Sequence, residues 1–185
     1  MTSESVRSDQ PPEELAEADP TSVARRILLD QLTGRARTRH ELALKLASKN
    51  VPEQIGTQLL DRFEEVGLID DLAFSRAWVD ARRTSRGLTR RVLALELRRK
   101  GVEDEIATLA LADIDSQDEE ASARELVRKK LPLMARLDST TATRRLIGQL
   151  ARKGHPPGLA ARIVREELGA IDDHHDEGSW GIGGV

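Results

Sequence analysis

Between residues 21 and 168 the apolar positions follow helical spacing, and no stretch sustains the in-out alternation of a strand. Prolines in this body are few: Pro52, Pro132, Pro156 and Pro157. Start and stop signals divide it into nine helices, over 22–33, 39–49 and 52–66, then 71–85, 89–100 and 103–112, then 117–134, 139–153 and 157–168. Thr38 and Glu41 stand at capping-box spacing before the second of these. Pro52, just past Asn50, opens the third.

One pattern recurs. Leu46-x-x-Lys49-Asn50, Leu97-x-x-Lys100-Gly101 and Leu150-x-x-Lys153-Gly154 lie 51 and then 53 residues apart (46 to 97, 97 to 150). Leu42, Leu93 and Leu146 precede them by four residues, and Leu59, Ala110 and Ile163 follow. A period near fifty means tandem repeats, here of three helices each. The chemistry of the turn supports this. Asn or Gly takes the left-handed conformation that ends a helix, and a lysine in the last turn complements the negative helix end. Capping alone is one sufficient account of these lysines. The predicted fold is all-α, with three three-helix repeats at 21–69, 70–115 and 116–169. They stack into an elongated, right-handed or crescent-like array.

Charge changes the picture. The net charge is −3. Residues 1–20 set Arg7 against six carboxylates, and residues 171–185 carry four carboxylates and no lysine or arginine. The body is therefore basic and both ends are acidic, which suits a polyanion or an acidic partner. The expected tails, 1–20 (Pro- and Glu-rich) and 170–185 (Gly-rich), have little to bury. His174 and His175 beside Asp173 and Asp176 lie in that second tail, where ligand geometry would not be held. Cysteine is absent, which removes disulfides and thiolate metal sites and fits a reducing cytoplasm. No apolar run has membrane-spanning length, and the N-terminus lacks a secretory apolar core.

The stretch Gly67-Leu68-Ile69-Asp70-Asp71-Leu72-Ala73-Phe74 joins the first two repeats. Asp70 or Asp71 is expected to cap the next helix. Phe74, Ala77, Trp78 and Ala81 follow at i, i+3, i+4 and i+7 and predict its apolar face. Catalysis by the aspartate pair would need a third ligand and a pocket, and neither is visible nearby. No phosphate loop, nucleophile elbow or HExxH motif occurs. Only four aromatics (Phe63, Phe74, Trp78 and Trp180) are present, too few for a base-stacking platform. The arginines stand out instead. Arg82, Arg83, Arg86, Arg90, Arg91, Arg98, Arg99 and Lys100 fall within residues 82–100, with Glu96 the single acid among them. Solvated faces usually mix signs. This segment is the candidate for contact with phosphates or acidic side chains.

Three pieces carry a likeness to a known family. They are Arg37-Thr38-x-x-Glu41-Leu42-x-x-Lys45-Leu46, then Gly67-Leu68-Ile69-Asp70-Asp71-x-x-Phe74 with Trp78 and Arg82, and then Glu96-Leu97-x-x-Lys100-Gly101-Val102. In this order and spacing the chain, over about residues 21–168, resembles the RecX family, regulators of the RecA recombinase. It departs from the family in lacking a proline after Gly87, and in carrying His155 where an aromatic often follows the third turn. The resemblance implies structural motif roles for Glu41, Leu42, Gly67, Asp70, Asp71, Phe74, Trp78, Leu97 and Gly101. It also implies a monomeric cytoplasmic protein that is not an enzyme and needs no cofactor or metal. Such a protein binds the groove of RecA filaments on single-stranded DNA and limits their growth, ATP hydrolysis and strand exchange in recombination, repair and the SOS response. Weak direct DNA contact is compatible with it.

Two other readings compete. A helix-turn-helix-like repressor would bind duplex DNA on its own with a steep salt dependence. Against it, the third helices are acidic, with Glu53, Asp61, Glu64 and Glu65, and then Glu103, Asp104 and Glu105. A helical-repeat adaptor for an acidic protein would show no DNA effect. A nuclease ranks last, and would lose activity in Asp70→Asn.

Overall fold

The computed structural model describes residues 19–177, and of residues 171–177 the backbone only. The expectations for residues 1–18, for Trp180, and for the side chains of His174 and His175 lie outside the described residues. Within them every regular element is helical. The order is α1 (Pro20–Gly34), α2 (Arg39–Ala47), α3 (Glu53–Glu65), α4 (Asp71–Arg86), α5 (Arg90–Arg99), α6 (Asp104–Ala110), α7 (Ser116–Lys130), a 3₁₀ turn (Leu131–Met134), α8 (Ser139–Arg152) and α9 (Pro157–Glu177). No helix among the described residues is long and apolar enough to cross a membrane.

The chain forms two compact units. The first holds the chain up to Arg37 together with Leu42–Ile69, and the second holds Thr38–Glu41 together with the chain from Asp70 onward. In the first unit α1 packs on α3, around Ala24, Leu28, Leu42, Leu46, Leu59 and Phe63. The second unit has two cores. One gathers Val79, Leu93, Leu97, Val102, Ala107 and Leu111 from α4, α5 and α6. The other gathers Val127, Leu146, Leu150, Ala160, Ile163 and Val164 from α7, α8 and α9. Leu93, Leu97, Leu146 and Leu150 are at most 1% exposed, so truncating any of them to alanine costs about 2–5 kcal/mol.

The repeated turn is one hydrogen-bonded motif made three times. Val51, Val102 and His155 donate their N–H to the carbonyls of Leu46, Leu97 and Leu150 at 3.2, 3.2 and 3.1 Å. Asn50, Gly101 and Gly154 donate to Ala47, Arg98 and Ala151, each at 3.0 Å. This is the Schellman arrangement, with residues 50, 101 and 154 left-handed at φ 56°, 74° and 97°.

Three predicted features shift. The helix expected over 117–134 ends at Lys130 and tightens into the 3₁₀ turn, because Pro132 has no N–H to continue the ladder. The last helix runs past the expected 168, and past the expected tail start at 170, to Glu177. No proline or glycine interrupts residues 170–177. The buried face of α4 is set by Ser75 and Val79, with Ala77 and Ala81 exposed rather than on it. Ser75 is tolerated there because its hydroxyl donates to the Asp71 carbonyl at 2.6 Å.

Candidate interaction surface

The two aspartates at the start of α4 serve two helix ends. Asp70 Oδ1 accepts the Ala73 N–H at 2.7 Å and caps α4. Asp71 Oδ1 accepts the Arg39 N–H at 2.9 Å, at the open start of α2. Burial raises the Asp71 pKa against that hydrogen bond. Among the described residues no three His, Cys, Asp or Glu side chains converge as metal ligands.

The family-motif residues assemble around Trp78. Phe74 stacks on it, with ring centroids 5.8 Å apart and planes 20° apart. The Arg82 guanidinium lies 4.2 Å from the Trp78 ring centroid and the Lys100 ammonium 4.4 Å from it. Glu96 accepts the indole N–H at 2.8 Å and lies 3.3 Å from Arg82 Nε. Glu41 receives Lys100 Nζ at 2.7 Å. The aromatic pair is thus half-buried against the α4–α6 core and faced by two cations, each with its own carboxylate.

Thr38 ties the same region together. Its hydroxyl accepts the Glu41 N–H at 3.1 Å and donates to the Lys100 carbonyl at 2.7 Å, while Glu41 receives the Thr38 N–H at 3.4 Å. The capping box is therefore present, and it carries a further bond across 62 residues. The second unit uses a variant of this seat once more. Thr89 donates its N–H to the Lys153 carbonyl at 3.1 Å, and Lys153 Nζ donates to the Arg86 carbonyl. The remaining motif positions are structural: Leu42 and Leu97 are buried, and Gly67 adopts φ 73° after α3.

The structure sorts the basic strip. Arg82, Arg83, Arg98 and Lys100 have carboxylate partners: Glu96, Asp118, Asp104 and Glu41. Arg86, Arg90, Arg91 and Arg99 are exposed and make no side-chain ion pair with any described residue. Arg90 contributes only its backbone N–H, donated to Glu119 at 2.7 Å. Arg90, Arg91 and Arg98 rim an open groove of about 480 Å³ between α5 and α6. Reading the sequence for charge missed this groove. The recurrence of an exposed leucine 51 residues apart, Leu44 and Leu95, was the available signal.

Two further features escaped the sequence reading. An ion network joins α7 to α9: Arg124 meets Glu120, Glu166 and Glu167, Arg128 meets Glu167, and Arg162 meets Glu120. Hydrogen bonds from Arg162 and then Arg124 pull the Glu120 pKa down to about 2. The other feature is His155, which is 3% exposed with neither ring nitrogen hydrogen-bonded. Burial lowers its pKa, against the pull of Glu119.

Comparison with known proteins matches this arrangement along the chain. Residues 24–63, 70–111 and 118–164 match the first, second and third three-helix domains of RecX. The chain is 49% identical to the regulatory protein RecX of Streptomyces coelicolor over 164 residues, covering 86% of this chain and 87% of that one. It is 46% identical to that of Amycolatopsis mediterranei over 158 residues, covering 85% and 90%. The crystal structure of RecX from Lactobacillus salivarius shares the fold, with a TM-score of 0.69 at 23% identity over 80% of this chain and 97% of that one. By three matched domains and by these relatives, the chain belongs to the RecX family of regulatory proteins.

Proposed function

We propose that this protein binds RecA in the groove of its filaments on single-stranded DNA. There it limits filament growth, and with it ATP hydrolysis and strand exchange in recombination, repair and the SOS response. It acts as a cytoplasmic monomer, without catalysis or a cofactor of its own. The observation that carries this reading is the set of exposed, unpaired guanidiniums of Arg86, Arg90, Arg91 and Arg99, on a chain that belongs to a family of regulatory proteins. An exposed cation with no internal partner gives up little desolvation when an acidic side chain or phosphate arrives. Several weak contacts on one chain add through effective concentration.

The decisive test is RecA ATP hydrolysis on single-stranded DNA with this protein titrated in. Loss of hydrolysis well below one molecule per RecA supports filament blocking. No effect at excess overturns the reading, and a salt-dependent binding curve on duplex DNA then becomes the next measurement.

A further inference from the structure

The three repeats hold corresponding positions between their second and third helices, but only the second repeat combines a leucine with three arginines at these positions. In the second repeat Ala94, Leu95, Ala107 and Leu111 line the groove, and Arg90, Arg91 and Arg98 stand around it. Leu95 is 43% exposed. At the corresponding positions the first repeat keeps Leu44 and one arginine, Arg39, but has His40 and Ala47 where the second has Arg91 and Arg98. The third keeps one arginine, Arg144, but has Gly148 in place of Leu95, Thr143 in place of Arg90 and Ala151 in place of Arg98.

We propose that the α5–α6 groove binds an acidic protein segment, seating one aliphatic side chain beside Arg98 and Asp104, with its flanking carboxylates paired to the unpartnered Arg90 and Arg91. The ligand chemistry stands on the groove, while its biological partner rests on the reading given above. The groove lining contains no aromatic ring, so a nucleic-acid base has nothing to stack on. Asp104 holds Arg98 at the rim through two contacts of 3.0 and 3.1 Å, leaving a carboxylate there. A phosphate chain, charged at every residue, meets that carboxylate wherever it lies. An acidic peptide places its apolar side chain there instead. Guanidiniums then pair with the flanking carboxylates in the planar, two-point geometry that lysine lacks.

The test uses the full chain and three fluorescent probes. One is a short peptide with Asp and Glu on both sides of a single leucine. The second is the same peptide with alanine for leucine, and the third is a single-stranded oligonucleotide. The leucine peptide is expected to bind at least about tenfold more tightly than the alanine peptide. Leu95→Ala and Ala94→Glu should each weaken it by about tenfold, while Leu44→Ala leaves it unchanged. Circular dichroism checks that helix content is retained.

Equal binding of the two peptides overturns the proposal. So does absence of peptide binding, or loss of oligonucleotide binding alone in Ala94→Glu. RecA inhibition by the wild-type chain is measured in parallel. Inhibition without peptide binding removes the groove assignment and leaves the filament reading. Leucine-dependent peptide binding without inhibition removes the RecA partner and supports the groove chemistry.

Discussion

Gly101 lies against His40 so closely that a Cβ at residue 101 would stand 2.1 Å from His40 Cγ and 2.3 Å from its Cβ. Gly101 is also left-handed. Gly67 has nearly the same φ, 73°, but nothing within 4 Å of a Cβ. The two glycines therefore separate strain from space. Gly67→Ala should cost about 1–2 kcal/mol for the backbone alone. Gly101→Ala should exceed that by about 1–3 kcal/mol of overlap. Urea unfolding of the two variants side by side measures the difference.

Lys100 belongs to the scaffold more than to the surface, because Glu41 and the Trp78 and Phe74 rings occupy its ammonium. Lys100→Met keeps the aliphatic stem but takes the ammonium away from Glu41 and the two rings. It should lower stability by about 1–3 kcal/mol while leaving RecA inhibition intact in the folded fraction. Denaturant curves and the ATPase assay, read together, check it.

The exposed arginines should behave in the opposite way. Reversing Arg90, Arg91, Arg98 and Arg99 to glutamate should abolish RecA inhibition with helix content and unfolding midpoint nearly unchanged. Exposed charges contribute little to folding, and the one ion pair removed, Arg98–Asp104, is itself exposed. Inhibition that survives this variant counts against the assigned surface.

His155 predicts a pH dependence. Its folded pKa lies below the ordinary 6.5, so its contribution to stability is complete above pH 6.5 and is lost as pH falls through the lowered value. His155→Leu should flatten the decline that begins as pH falls below 6.5. Unfolding midpoints across that range read it.

Glu120 and Glu167 predict a second, more acidic step. Both have folded pKa values below the ordinary 4.5, lowered by hydrogen bonds from arginines. Their contribution is present above pH 4.5 and is lost below it, for Glu120 as pH falls toward about 2 and for Glu167 as pH falls through its own lowered value. Glu167→Gln should weaken this acid step, seen as a higher residual α7–α9 hydrogen-exchange rate already at neutral pH.

The fold was readable because three signals coincide: leucines four residues apart, a lysine, and a left-handed turn residue. Leu42–Leu46–Asn50, Leu93–Leu97–Gly101 and Leu146–Leu150–Gly154 each mark a helix end, and all three turns form the same bonds. The surface was only half readable. Charge counting gathered eight cations between residues 82 and 100, but it carries no information on which acids fold back onto them. Glu41 and Asp118 lie far along the chain from Lys100 and Arg83. The α4 face was half placed: Phe74 and Trp78 pack on the core, but an i, i+3, i+4 count scores alanine as apolar and serine as polar, so it took in the exposed Ala77 and Ala81 and left out Ser75. Ser75 is buried through one local hydrogen bond, which no hydropathy count registers.

Asn50 fills the position that glycine holds at 101 and 154. At the two later turns His40 and Thr89 stand where a Cβ of residue 101 or 154 would be. Bare backbone is thus the fitting surface there, and any side chain at either turn would act as a wedge between a helix end and the residue seated on it.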